Sequence, residues 1–419
     1  MTLQRHSAFR HLWAAQTISV FGSQVTALAL PLTAALILHA TPFQMGLLTT
    51  ALTLPVPLFV LFAGVLTDRL RHKSLLIGMD WLRAMALLVI PIAAAFQTLN
   101  IEALLTVAFL TGACSIVFDV AYQPYLRSIV QPEHLIDGNG KLETSNALAT
   151  VAGPGLTGGL IALFGAPMTL MVDALTFVAS ALILGRIRVP SDTPKVIPDH
   201  VPLRPSLWQQ IREGLLIVLQ HEVLRPLAIF SAMFNFFYKL IEVSLILFAT
   251  RTLGLSPVQF GFLFAVEGIG GLIGSLLPTW ALRRYGLGRT LVGSAGLMGV
   301  GCLFLPLAGG RIWAAGPLAV GLFVLGLSSV IYRVQQISLR QVVTPAHLLG
   351  RMNASTRFLT WGVMPVGALV GGLLGEWTSP RVAVLIGALG CALSFLWLLF
   401  SPLPARTELS TPNEVDRVG

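Results

Sequence analysis

Charge is scarce in this chain: only 11% of its 419 residues are Asp, Glu, Lys or Arg, where a soluble globular domain carries about a quarter. That shortage argues against a water-soluble fold of this length. Cysteine is almost missing as well. Cys114, Cys302 and Cys391 stand alone inside apolar runs with no C-x-x-C spacing, so they read as small packing residues and not as a disulfide framework or zinc site. No G-x-x-x-x-G-K-[ST] loop occurs, and no polar region is long enough to house a nucleotide domain, so ATP is not expected as a direct energy source. Neither an H-E-x-x-H helix nor any other metal or nucleophile constellation is present. An enzyme, a metal centre and a cofactor are therefore not expected.

What the chain has instead is apolar length. Hydrophobic residues make up 55% of it and the mean hydropathy is +0.80. They gather in blocks long enough to cross a bilayer core about 30 Å thick, which takes roughly 20 residues of α-helix. The blocks are 9–38, 44–66, 74–96, 102–126, 142–164, 167–187, 223–250, 258–282, 289–308, 312–335, 352–374 and 380–401. Barrel strands would be half as long and alternate in polarity. The first block has no small-residue cleavage site and exceeds a signal-peptide core, so it reads as a mature helix. An all-α membrane protein with twelve transmembrane helices follows, with the lipid bilayer as its solvent.

Basic residues orient the spans. With both termini cytoplasmic, twenty of the 27 Lys and Arg fall on cytoplasmic segments and adjoining span ends. Only Arg251, Arg311 and Arg381 fall outside, and Arg83, Lys239, Arg333 and Arg357 lie within spans. The positive-inside rule therefore selects this orientation. It also accounts for the net charge of +9. Basic charge spread over many short loops does not make a nucleic-acid patch, so no nucleic acid is expected as a partner.

The two halves repeat at an offset of 213 residues. Leu126-Arg-Ser-Ile-Val-Gln-Pro-Glu-His-Leu135 matches Leu339-Arg-Gln-Val-Val-Thr-Pro-Ala-His-Leu348 at six of ten positions, and Gly158-Gly159-Leu160 matches Gly371-Gly372-Leu373. The expected domains are a bundle of six helices over 1–187, a cytoplasmic connector at 188–222, a second bundle over 223–401 and a cytoplasmic tail at 402–419. Repeated halves are how many secondary transporters frame a site at the membrane midplane, which favours a transporter over a receptor or membrane enzyme.

Residues 5–402 resemble the major facilitator superfamily. Gly64-Val-Leu-Thr-Asp68-Arg69-Leu-Arg71-His72-Lys73 is similar to its loop 2–3 signature G-x-x-x-D-R-x-G-R-[KR], with Arg71 in place of the glycine and His72 in place of the next arginine. Gly153-Pro154-Gly155-Leu156-Thr157-Gly158-Gly159 resembles its antiporter motif G-P-x-x-G-G, with Thr157 at the first of the paired glycine positions. Phe118-Asp-Val-Ala-Tyr-Gln-Pro-Tyr-Leu126 and Leu349-Gly-Arg-Met-Asn-Ala-Ser355 resemble the bacterial efflux branch that includes macrolide and enterobactin exporters. The resemblance implies two pseudo-symmetric six-helix bundles working as a monomer. It implies that the first, fourth, seventh and tenth helices line the cavity, and that Gly64, Asp68, Arg69 and Lys73 help to shut the cytoplasmic side. Asp80 and Arg83 share a face of the third helix close to the Asp68 loop, which places them in a structural and gating charge network in preference to substrate binding. Gly153, Pro154, Gly158 and Gly159 would mark export, or simply close helix packing.

Ionisable groups within spans cost about 2.5–3.5 kcal/mol each on insertion scales and so invite functional roles. Asp119 and Arg333 sit one residue apart under the repeat and are candidates for a pair that protonation would release, or for a static pair or wetted edge. Lys239 and Glu242, three apart, share a helix face. Glu267 is a candidate proton carrier, with a locked Lys239–Glu267 pair as the alternative. Asp173 reads as a supporting hydrogen-bonding residue. Gln16, Gln24, Tyr122, Gln123, Asn235, Tyr238, Tyr332 and Gln336 offer hydrogen bonds and Phe234, Phe236 and Phe237 apolar surface, which suits bulky amphipathic ligands. The expectation is proton-coupled export of small hydrophobic or amphipathic molecules from the cell (inner) membrane by alternating access. Proton-coupled uptake of a metabolite and a transport-inactive membrane sensor are the alternatives.

Overall fold

The structure is a computed structural model that describes residues 7–59, 70–131, 134–187, 207–309, 315–345 and 348–403. Every regular element among the described residues is helical. Twelve helices are long and apolar enough to cross a membrane: Ser7–Leu36, Pro42–Phe59, His72–Ala95, Ile101–Ile129, Asp137–Phe164, Ala166–Arg186, Leu224–Thr252, Pro257–Leu276, Leu287–Leu307, Ala315–Val343, Arg351–Trp377 and Pro380–Leu399. These are named below as the first to twelfth spans.

Local chemistry sets where they start and stop. Thr41 and Gln44 close a capping box at the head of the second span, Asn100 accepts from the Ala103 amide at 2.9 Å to open the fourth, and Ser379 caps the twelfth. Each satisfies a donor that the first helical turn leaves without a partner. Gly165, at φ +78°, forms the joint between the fifth and sixth spans in the left-handed region where a side chain would strain the backbone.

Two boundaries depart from the hydropathy reading. The eighth apolar block continues to 282, but its helix stops at Leu276 and a separate short helix, Pro278–Tyr285, follows. Pro278 has no amide hydrogen and its ring clashes with the preceding turn. The tenth span runs to Val343, well past its apolar block at 335, because helical hydrogen bonding continues through the polar turns after hydropathy falls. The repeat is visible here too. The fourth span ends at Ile129 and the tenth at Val343, one residue from the position that the offset of 213 predicts.

The chain forms two compact units. In the first, the sixth span packs on the first and third, the third on the fourth, and the fifth on the first, with Leu255–Ala265 at the head of the eighth span joining this unit. One core of this unit is built on Phe9, Leu12, Leu76, Phe118, Tyr125 and Leu184. In the second unit the seventh span packs on the eleventh and twelfth, and the ninth on the tenth and twelfth. The connector contains an amphipathic helix, Leu207–Gln220, lying on the start of the eleventh span. Outward-facing side chains such as Leu163 and Leu276 are more than three-quarters exposed. In water such residues would form an aggregation-prone surface; on a membrane span they face lipid.

Candidate functional site

In the first unit the first, fourth and fifth spans border a cavity of about 510 Å³. Gln16 and Val20 come from the first span, Tyr122 and Gln123 from the fourth, and Asn139, Glu143, Ser145 and Asn146 from the fifth. Amides, hydroxyls and one carboxylate supply the polar groups, while Val20, Leu142 and the hydrocarbon parts of the other side chains make most of the lining surface apolar; the Tyr122 ring is stacked on Phe118 at 6.3 Å. Ser145 is held by Trp13 Nε1 and Thr17 Oγ1, both donating at 2.9 Å. Gln16, Tyr122 and Gln123 are cavity residues that the sequence already predicts. Asn139, Glu143 and Asn146 are not among its candidates: Asn139 precedes the apolar block that starts at 142, and Glu143 and Asn146 lie in the first polar turns of that block. Their spacing of four and three residues puts them on one helical face, which is the signal that finds them.

Beside this cavity lies a buried charge network. Asp80 and Arg83 form an ion pair one helical turn apart, with both side chains almost wholly buried. The Arg83 guanidinium is gripped between the Phe118 ring at 4.4 Å and the Phe177 ring at 4.2 Å, a cation–π slot that offsets part of its desolvation. Asp173 is fully buried and accepts from Thr26 and Thr176. Gly22 of the first span faces Asp173 and Thr176 so closely that a Cβ there would overlap their side chains. Lys73 donates to the carbonyls of Gly185 at 3.0 Å and Ile187 at 2.7 Å, at the C-terminal end of the sixth span, where a cation also meets the negative end of the helix dipole. Gly64, Asp68 and Arg69 lie outside the described residues.

The second unit presents a different polar face. Gln336 donates to Ser231 at 2.7 Å, and Ser231 lies 3.4 Å from the Tyr332 hydroxyl. Phe230, Phe234 and Tyr238 run as a column of rings along the seventh span. The Lys239 ammonium donates to both Glu242 oxygens, at 2.8 and 2.6 Å. Its partner is therefore Glu242, in place of the alternative pairing with Glu267. No ion pair reaches Glu267 among the described residues; its backbone carbonyl sits against Gly326 of the tenth span, so tightly that a Cβ at 326 would overlap it. Asp119 and Arg333 are both exposed on their spans, one in each unit.

Two expected cavity residues make contacts within the second unit. Asn235 donates to the Thr360 carbonyl at 2.9 Å and ties the seventh span to the eleventh. Phe237 rests against Gly387 and Gly390 of the twelfth span, turned into its own bundle. Gln335, not singled out in sequence, is buried and donates to the Pro278 carbonyl at the break after the eighth span, at 2.9 Å. No group of three or more His, Cys, Asp or Glu side chains among the described residues is placed to hold a metal ion.

The family model for the Major Facilitator Superfamily matches residues 12–365 and 227–417. The chain belongs to the major facilitator superfamily. It is a multi-pass membrane transporter and not an enzyme, and several of its relatives are named as efflux proteins. It is 26% identical to the multidrug efflux pump Tap of Mycolicibacterium fortuitum, over 96% of this chain and 97% of that protein. It is 24% identical to macrolide efflux protein A of Streptococcus pyogenes, over 88% and 89%, and 24% identical to the enterobactin exporter EntS of Salmonella typhi, over 99% and 97%. The fold matches the crystal structure of the nucleoside transporter NupG with a TM-score of 0.72 at 14% identity, covering 94% of this chain and 99% of that one.

In this transporter the glycine-rich stretch of the fifth span is a two-sided packing device. Gly153 faces the Gln24 side chain of the first span, whose Cβ would lie 2.6 Å from an added methyl group. Gly158 faces the Pro257 carbonyl of the eighth span, 2.7 Å from where its own Cβ would stand, and Gly261 returns the contact against Pro154 and Gly158. Nothing crowds Gly159. In the second unit Gly371, the repeat partner of Gly158, faces the Leu240 backbone of the seventh span at 2.7 Å. The motif is used where backbones approach, which small residues permit in a membrane.

Proposed function

We propose that this transporter is a proton-coupled exporter of hydrophobic or amphipathic small molecules, working by alternating access as a monomer in the cell's inner membrane, with both termini cytoplasmic. The observation that carries the reading is the cavity of about 510 Å³ among the first, fourth and fifth spans. Its amides and Tyr122 offer oriented but mostly uncharged hydrogen bonds, the pattern suited to a bulky ligand with few polar anchors. The efflux roles named for its relatives agree with it. A phosphate or polyanion site would need a basic lining that this cavity does not have.

Coupling is assigned to Glu267, with Asp119 as the second carboxylate to test. Lys239 already neutralises Glu242, whereas Glu267 has no cationic partner among the described residues. A carboxylate in that position can take and release a proton without first breaking an ion pair. Asp68, by the family resemblance, holds the cytoplasmic side shut.

The test uses inside-out vesicles with an acid interior and a panel of macrolides, dyes and siderophores. Addition of a substrate should release protons from the interior, and Glu267→Gln should abolish that release while the compound still binds. Release that survives in both Glu267→Gln and Asp119→Asn removes these residues from coupling. Transport that instead requires the opposite gradient means uptake.

A further inference from the structure

On the surface of the second unit, the start of the seventh span and the end of the twelfth leave a groove of about 590 Å³. Its mouth carries Glu222 and Arg225, and its walls are Met233, Leu393, Trp397 and Phe400. Neither charged side chain has a hydrogen-bond or ion-pair partner among the described residues. From Arg225 to Met233 the wall extends eight residues, about 12 Å of helix at 1.5 Å per residue. Phe400 is 84% exposed and Trp397 47%.

We propose that this groove is a binding site for a membrane phospholipid whose headgroup carries both a phosphate and a primary amine. The polarity runs the right way: charge at the end of the spans, hydrocarbon walls leading inward, and two aromatic rings at the level where headgroups meet chains. Arg225 supplies a planar donor fork that matches phosphate oxygens. Glu222, beside it, accepts hydrogen bonds from an ammonium group and repels a second negative charge. The pair therefore complements a zwitterion. An anionic headgroup meets the Glu222 carboxylate unfavourably, and a quaternary ammonium has no N–H to give it. Trp397 and Phe400 leave the apolar wall of the groove exposed at the surface of the unit, where a membrane protein meets lipid and not water, so its occupant is drawn from the bilayer. The proposal is independent of what the protein transports.

The experiment is native mass spectrometry of the full-length protein released from micelles that contain phosphatidylethanolamine, phosphatidylcholine and phosphatidylglycerol in equal amounts. The wild type should retain phosphatidylethanolamine over phosphatidylcholine by roughly tenfold, the scale of one hydrogen bond to a charged group. Glu222→Gln should remove that preference while leaving phospholipid bound, and Arg225→Gln should lower retention of all three headgroups. Thermal unfolding of each variant shows whether it is folded, and Arg225→Lys, which keeps the charge, should retain most of the binding. Equal retention of the three lipids by the wild type overturns the proposal, as does unchanged retention in folded Arg225→Gln. Retention that appears only after removal of residues 404–419 also overturns it, because the groove then belongs to the tail.

Discussion

Arg83 and Asp80 show how much of a residue's role depends on what surrounds it. The spacing of three residues already puts them on one helix face, but the aromatic slot comes from Phe118 and Phe177, on two other spans. Losing one member of a buried pair leaves the other charged in a low-dielectric interior, at a cost of about 3–5 kcal/mol. Arg83→Leu should therefore lower the unfolding temperature in detergent sharply. Asp80→Leu combined with Arg83→Leu should recover much of the loss, because neither charge is then stranded. A double variant as unstable as the sum of the two single ones would mean that the pair is not coupled.

At the scale of elements, the connector is tied down where hydropathy alone shows only a polar break. Gly214 lies against the Arg351 carbonyl, 2.9 Å from an added Cβ, and close to Ser355. The neighbouring Glu213 pairs with Arg351 at 2.6 Å, and Val218 is buried with Leu224, Ala228 and Met352. Arg351 and Ser355 belong to the stretch that resembles the efflux branch, and here they hold the connector helix. Gly214→Val should dislodge the helix and speed hydrogen exchange over 212–220. Glu213→Gln should change stability by no more than about 1 kcal/mol, because the pair is substantially exposed and screened by solvent. Equal exchange in Gly214→Val and wild type would show that the close approach at Gly214 does not hold the helix.

For the whole molecule, the contact between the fifth and eighth spans is the sharpest test of how backbone proximity serves transport. Gly158→Leu puts a side chain where the Pro257 carbonyl lies and should abolish flux in vesicles. The protein should still reach the membrane, since twelve apolar spans insert regardless of that contact. Gly159→Ala, which meets nothing within 4 Å, should transport at close to the wild-type rate. Equal loss in both variants would mean that the motif acts through helix flexibility and not through packing.

The number of spans, the all-helical class and the family were legible in the sequence, because a bilayer imposes a length and a polarity on any segment that crosses it, and both can be counted along the chain. Pairs on one helix, Asp80 with Arg83 and Lys239 with Glu242, were equally legible, since helical spacing alone places them together. Tertiary structure decided the direction of each side chain between neighbouring spans. It turned Asn235 and Phe237 into their own bundle and placed Asn139, Glu143 and Asn146 on a cavity. It also paired Lys239 with Glu242, in place of the alternative Lys239–Glu267 pair. In a helix that is apolar on nearly every side, the pattern along the chain hardly distinguishes lipid from a neighbouring helix. Only the close packing at glycines, against side chains at Gly22 and against backbone at Gly158 and Gly326, settles which face meets which.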